Sequence, residues 1–294
     1  MDTLIQVLVN GLGKGAVFAL LAVGFVIIYK ATETVNFAHG SIAIFAGYIA
    51  YLVKDASGSW LLGAVAAVVA GAALALFIER VLLANARNAH SDSLAILTIG
   101  VDIFVFTEIV RRIGTQSPPF LGDPYDAKPV SLFGVSVART FLVALAVAIV
   151  LLAIFFLAFR YTTWGLAMRA QSENREASAL MGIRSWRVTA SAWLVGGALA
   201  GIAVLFLATT DIGGGTGLLA SHTIAFAAFP AAIIGGLTSP GGAVVGGLIV
   251  GLTDALAAQY VNLDFAKVAV YLVMLAVLVA RPSGLFGKVE QLRV

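Results

Sequence analysis

The sequence predicts an all-α fold. It reads as a polytopic integral membrane protein, one domain over residues 1–294, with about eight to nine transmembrane or half-membrane helices and a short cytoplasmic helix between two of them. Three observations carry this. The chain is 61% hydrophobic and 11% charged, with a mean hydropathy of +1.01, whereas soluble domains carry about 25% charged residues. Its apolar residues fall in runs near the ~20 needed to cross a bilayer as a helix. One long polar excursion, from Arg160 to about Ala190, holds Arg160, Arg169, Arg175, Arg184 and Arg187. A protein that only spans lipid has no use for it; one that grips a soluble partner does.

Nine apolar segments follow in order: residues 4–29, 37–53, 60–83, 93–109, 140–159, 191–208, 223–236, 242–258 and 265–280. The first contains Gly11-Leu12-Gly13-Lys14-Gly15, which lacks the preceding strand of a phosphate loop and reads as a flexible helix start. The second is short and follows Asn36, a good helix N-cap. The fourth carries Asp102 in mid-span and Glu108, with Arg111 and Arg112 three and four residues further along the same face. The breaker-rich run Gly114-Thr115-Gln116-Ser117-Pro118-Pro119 then opens a second long loop.

Within the Arg160–Ala190 excursion, residues 161–171 are amphipathic and residues 173–181 are rich in helix formers. Gly182 follows at the place of a C-cap. This pattern predicts a helix at the base of the bundle that transmits force from a soluble motor; the alternative is a solvated loop held to anionic lipid by its arginines. The seventh segment has 14 residues, ~21 Å of helix against a ~30 Å hydrocarbon core, and contains Pro230. Short, interrupted segments in both halves of a polytopic chain mark broken helices around a translocation path; tilting or snorkelling is the alternative. In the eighth, Gly242/Gly246 and Gly247/Gly251 form two interleaved GxxxG pairs, which predict close helix packing or a subunit contact.

Orientation follows from the Lys/Arg asymmetry. With the large excursion in the cytoplasm, four crossings separate it from the C-terminal tail, which falls on the same side. Eleven of the eighteen basic residues are then cytoplasmic, and the N-terminus lies outside. Arg111 and Arg112 fall on the outer side, against the trend. Met1-Asp2 is acidic where a cleavable signal is basic, so the first segment is read as a retained span.

Several chemistries are unsupported. The net charge of +3 is scattered between spans instead of forming a nucleic-acid stripe. The absence of cysteine excludes disulfides and thiolate sites. No GxxxxGK[ST] loop holds a nucleotide, and His39, His90 and His222 are far apart with no metal spacing. What remains is a set of polar groups inside apolar spans. Asn36-Phe37-Ala38-His39-Gly40-Ser41 places polar residues at a helix start, either lining a water-filled path or capping the helix while His39 bonds a neighbour. An ionised side chain at the centre of a span costs ~2.5–3.5 kcal/mol on insertion scales. Asp102 has no basic residue one turn away, so Lys14 or a solute ammonium group is its expected partner. Asn36, His39, Ser41, Thr98 and Asp102 are the candidate substrate pathway.

Three blocks of residues resemble the LivH-like permeases of the branched-chain amino acid type of ABC transporter, over nearly the whole chain. The first runs from Asn10-Gly11 through Ala19-Leu20 to Val35-Asn36-Phe37-Ala38-His39-Gly40. The second is Met168-Arg169-Ala170 with Glu173-Asn174-Arg175-Glu176-Ala177 and Leu180-Met181-Gly182-Ile183. The third runs from Phe226-Ala227 through Ile234-Gly235-Gly236-Leu237 to Pro240-Gly241-Gly242-Ala243-Val244-Val245-Gly246-Gly247.

The resemblance implies an importer subunit of a bacterial-type inner membrane that binds no cofactor and catalyses no reaction itself. It implies a second permease (LivM-like or a copy of this chain), two ATP-binding cassette subunits that use ATP and Mg, and an extracytoplasmic solute-binding protein. Arg169, Glu173, Asn174, Glu176, Ala177, Gly182 and Ile183 would form the coupling region, with residues 173–183 as its helix. The chain departs from the family pattern at Asp102 and Glu108, where uncharged residues are expected. That widens the solute class from leucine, isoleucine and valine to amides, urea and aromatic or aliphatic acids. The rival readings are an ion- or proton-coupled carrier with Asp102 and Lys14 as its relay, and a passive channel.

Overall fold

A computed structural model describes residues 2–86, 91–114, 129–132, 135–209, 212 and 217–287. Twelve helices are labelled here: α1 (Asp2–Thr32), α2 (His39–Ser57), α3 (Trp60–Phe77), α4 (Ser91–Ile113), α5 (Arg139–Tyr161), α6 (Thr163–Glu173), α7 (Arg175–Leu180), α8 (Ser185–Leu207), α9 (Gly217–Phe226), α10 (Ala228–Gly235), α11 (Pro240–Tyr260) and α12 (Leu263–Ala280). A π-helical turn, Ile78–Leu83, continues α3. A two-stranded antiparallel hairpin, β1 (Val130–Leu132) and β2 (Val135–Val137), precedes α5.

Seven of these helices are long and apolar enough to cross a membrane: α1, α3 with its π turn, α4, α5, α8, α11 and α12. The shorter α2 and the α9–α10 pair supply two more legs, so each apolar segment has a helical counterpart and the chain is a multi-pass membrane protein. Helices outrun the hydropathy pattern where charge begins. α8, for instance, starts at Ser185 and includes Arg187. The seventh segment is two helices meeting at Ala227. Pro230 explains the break, because its ring clashes with the carbonyl four residues back, that of Phe226, and it offers no N–H.

α1 is the central post. Its apolar span is 89% buried, against 17% for α4 and α12, so the peripheral helices present their outer faces to lipid or a neighbour. The glycines of α1 are packing surfaces within a continuous helix, not a flexible start. A Cβ on Gly11 would press on Leu252 and Ala255, and one on Gly13 would press on Phe141. α11 runs antiparallel to α1, with Gly247 against Ala19 and Gly251 against Gly15. The other glycine pair, Gly242 and Gly246, faces Gly235 and Ala231 of α10. The two pairs therefore sit on different faces, and both faces are filled by this chain's own helices instead of a second subunit.

The same α1–α11 contact corrects the expected partner of Lys14. Its Nζ lies 2.5 Å from Asp254 Oδ2, not at Asp102. Helix pairing brings together two charges 240 residues apart, each otherwise costly in an apolar span. Lys14→Met strands the Asp254 carboxylate and should lower stability in detergent by about 1–2 kcal/mol, less than a fully buried pair would because both side chains retain some exposure. Lys14→Met/Asp254→Leu should regain most of that loss in thermal unfolding.

Candidate functional site

Two places concentrate the polar groups: a break between α1 and α2 deep in the bundle, and the α6–α7 excursion at one end of it, called here the loop end.

α1 stops at Thr32, where Glu33 takes a left-handed backbone (φ 57°). Residues 33–38 then run without helical structure along one face of α4. Such backbone is tolerated at membrane depth only where its polar groups are satisfied, and α4 satisfies them in sequence. Ser91 Oγ donates to the Glu33 carbonyl at 2.6 Å. Thr98 Oγ1 accepts from the Phe37 N–H at 3.0 Å. Asp102 Oδ1 accepts from the Ser41 N–H at 3.2 Å. Residues 91, 98 and 102 are seven and four apart and so share a helix face.

The start of α2 thus meets α4 at Asp102, eleven residues from its first residue Ser91, about 16 Å along the helix at 1.5 Å per residue. Asn36 is not the N-cap of α2. The cap position is Ala38, and Asn36 Oδ1 instead accepts from the Ala38 N–H at 3.1 Å, an Asx-type turn that leads the chain into the helix. The charge at this helix start comes from α4: Asp102 places a carboxylate against the positive end of the α2 dipole.

Asp102 has a second partner, His222 of α9, whose Nε2 lies 3.1 and 3.2 Å from the two carboxylate oxygens. A proton on Nε2 makes this contact a hydrogen bond. The His222 ring stacks on Phe106 at 4.2 Å and meets Phe226 edge-on at 5.1 Å. Asn36, Ser41, Thr98 and Asp102 are therefore brought together, all of them buried. The His39 ring turns the other way, over Gly24 and against Phe25, 4.4 Å between centroids. His222 joins the cluster from 120 residues away; its sequence signal is weak, a lone histidine in an apolar run. Among the described residues, Asn36 Nδ2 and Ser221 Oγ have no hydrogen-bond partner. Glu108 pairs with Arg111 at 2.8 Å and Arg112 at 2.6 Å, as its spacing indicates.

At the loop end, α6 is tied down. Trp164 Nε1 donates to Ser191 Oγ and Gln171 Nε2 to the Ala31 carbonyl, each at 2.8 Å. Arg169 donates to the Phe159 carbonyl, closing the end of α5. Residues 173–183 are not one helix. Glu173 ends α6, and Asn174 (φ −157°, ψ 107°) breaks the chain before α7. Asparagine favours caps over helix interiors, and Asn174 Oδ1 accepts from the Ala177 N–H at 2.9 Å.

α7 is six residues long and closed at both ends. Glu176 lies in its first turn, favourable to the dipole. At its far end, the Gly182 N–H reaches the Ala179 carbonyl and the Ile183 N–H reaches the Ser178 carbonyl, both at 3.0 Å, with Gly182 at φ 86°. This is a Schellman closure. Only Ser178 of the helix is buried, while Leu180 at its last position and Met181 just beyond are 89% and 83% exposed. Isolated helices shorter than ~12–15 residues are marginal in water. Here the turn is capped at both ends and leaves two apolar side chains uncovered.

Comparison with known proteins agrees with this architecture. The family model described as "Branched-chain amino acid transport system / permease component" matches residues 7–278. The chain is 29% identical to the high-affinity branched-chain amino acid transport system permease protein LivH of Escherichia coli, over 97% of this chain and 96% of that one. It is 29% identical to the permease protein BraD of Pseudomonas aeruginosa with the same coverage. With the probable LivH of Methanocaldococcus jannaschii it shares 30%, over 91% of this chain and 88% of that one. Carried on a multi-pass bundle with a capped surface helix, these matches place the chain in the family of permease components of branched-chain amino acid ABC transport systems.

Proposed function

We propose that this chain forms, with a second permease, the translocation path of an inner-membrane importer, and that α7 is its coupling helix. Two ATP-binding cassette subunits use ATP and Mg on the cytoplasmic side, and an extracytoplasmic binding protein delivers the solute. Closure of the cassettes pushes on α7, and the bundle rocks from outward-facing to inward-facing. The observation that carries this reading is α7 itself, six capped residues with one buried side chain and two exposed apolar ones at their end, Leu180 and the C-cap Met181. Burying a side chain the size of Leu or Met is worth about 1.5–3 kcal/mol, so Leu180 and Met181 favour a partner with an apolar groove.

The solute passes beside the break between α1 and α2. Asn36, Ser41, Thr98, Asp102 and His222 form its polar wall, and Phe106 and Phe226 its apolar one. A polar wall with aromatic neighbours suits a small amino acid with an apolar side chain. Selectivity belongs to the binding protein, because a tight site in the path would slow release. The Lys14–Asp102 relay of a proton-coupled carrier gains no support, since Lys14 pairs with Asp254. Uptake of radiolabelled leucine in cells depleted of ATP, with the proton gradient held, tests the reading. Loss of uptake is expected; undiminished uptake contradicts ATP-driven import.

A further inference from the structure

Near the loop end, α3 and α8 meet along a seam with almost no side-chain volume. Ala67 faces Gly201 and Gly71 faces Gly197, backbone nearly on backbone. The buried residues of α3 recur every fourth position at Gly63, Ala67, Gly71 and Ala75. The next step of that stripe is Glu79, a carboxylate 3% exposed. The two helices run antiparallel, and the register that pairs 67 with 201 and 71 with 197 carries 79 opposite 189. There Thr189 Oγ1 donates to Glu79 Oε1 at 2.9 Å.

Glu79 lies in the π turn, where the Ala84 N–H reaches back to the Glu79 carbonyl at 2.8 Å; such turns concentrate at functional sites. Beside it, the Arg80 guanidinium lies 4.4 Å over the Trp186 ring and the Arg187 guanidinium 5.1 Å from it. Trp186 and Thr189 belong to the first turns of α8, which begins at Ser185, directly after the Gly182 closure of α7.

We propose that the Glu79–Thr189 contact is the joint through which movement of α7 reaches the membrane-spanning helices. It is a positioning pair, distant from solute. The physical reason lies in the seam. Glycine and alanine let two helices approach closely but give no interdigitating side chains, so the helices can slide along one another. A directional hydrogen bond at the end of the seam fixes its register. In a low-dielectric interior that bond is strong, and close-packed helices pass a displacement on instead of absorbing it. A push that enters α8 from α7 is then carried into α3.

This inference rests on the transporter reading, and its test separates the two. The chain contains no cysteine, so Leu61→Cys on α3 and Leu263→Cys on α12, both exposed at the other end of the bundle, take spin labels with no background from this chain. The probe is ATP with vanadate, added to the complete complex in nanodiscs. With the seam intact, trapping shifts the label-to-label distance. Thr189→Val should cut that shift at least by half while ATP hydrolysis per complex stays within about twofold, and Thr189→Ser should restore it. Glu79→Met/Thr189→Val replaces both partners by apolar groups, at the cost of the Arg80–Glu79 ion pair at 3.5 Å, and should also lose the shift, which covers a single variant that fails to assemble. An unchanged shift in Thr189→Val overturns the proposal. So does a parallel fall of shift and hydrolysis, the signature of a merely structural contact, or the absence of any shift before mutation. If the unmutated chain holds no ATP-hydrolysing subunit, the transporter reading falls with it; an effect missing only in Thr189→Val leaves that reading intact.

Discussion

Gly182→Val is expected to reduce ATP-driven import at least tenfold while the membrane bundle stays folded. Gly182 has φ 86°, a left-handed backbone that costs an L-residue roughly 1–2 kcal/mol and is a true outlier for a β-branched one. Valine there opposes the two backbone hydrogen bonds that close α7. That helix has little else to hold it, since Ser178 is its one buried residue. A loss of about 1.4 kcal/mol shifts the balance between formed and melted helix tenfold, and a melted α7 cannot carry a push. The bundle should be spared, because nothing lies within 4 Å of a Cβ built on Gly182. Gly182→Asn, which tolerates the left-handed region, should be much milder. Import and solute-stimulated ATP hydrolysis in proteoliposomes, alongside thermal unfolding of the purified complex, separate these outcomes. Normal import by Gly182→Val would remove α7 from the mechanism.

The second large effect is expected at Asp102. Asp102→Asn keeps an acceptor for the Ser41 N–H but removes the charge that faces both the α2 dipole and His222. Hydrogen bonds to ionised groups are roughly twice as strong as neutral ones, a difference near 1.4 kcal/mol and therefore about tenfold. Import should fall by that order with the complex still assembled. Asp102→Leu leaves the Ser41 N–H and His222 without their acceptor deep in the bundle, each worth about 1.5–3 kcal/mol, and should reduce the amount of assembled protein as well. Full import by Asp102→Asn would show that the carboxylate has no part in the solute path.

The sequence pattern carried some of this architecture and could not carry the rest, and the difference is physical. Lipid demands long apolar helices, so the nine segments stand out in the hydropathy pattern, as does the break around Pro230. Capping is also local. Gly182 sits after a run of helix formers, and Glu108 meets Arg111 and Arg112 at helical spacing, so both were readable from neighbours one turn away.

Contacts between helices obey no such spacing. Lys14 finds Asp254 and Asp102 finds His222 only because α11 lies against α1 and because α9 and α4 both lie against α2, and unmatched charge alone does not choose among partners. The π turn at Ile78–Leu83, which carries Glu79 to Thr189 of α8, has no local pattern of that kind. The split at Asn174, by contrast, rests on a cap residue one turn from its partner that the run of helix formers around it obscured. The interleaved glycine pairs marked close packing correctly, but which helix fills each face was decided by the fold.

The central claim is that α7 meets an ATP-hydrolysing subunit, and site-directed cross-linking tests it most directly. Leu180→Cys creates the one cysteine in the chain, at a side chain 89% exposed in the isolated protein. In membranes containing the whole transporter, a short cross-linker at residue 180 should join this chain to the ATP-hydrolysing subunit, and that subunit should shield the thiol from a water-soluble maleimide. A thiol that reacts equally well with and without those subunits, and forms no cross-link to them, would contradict the account.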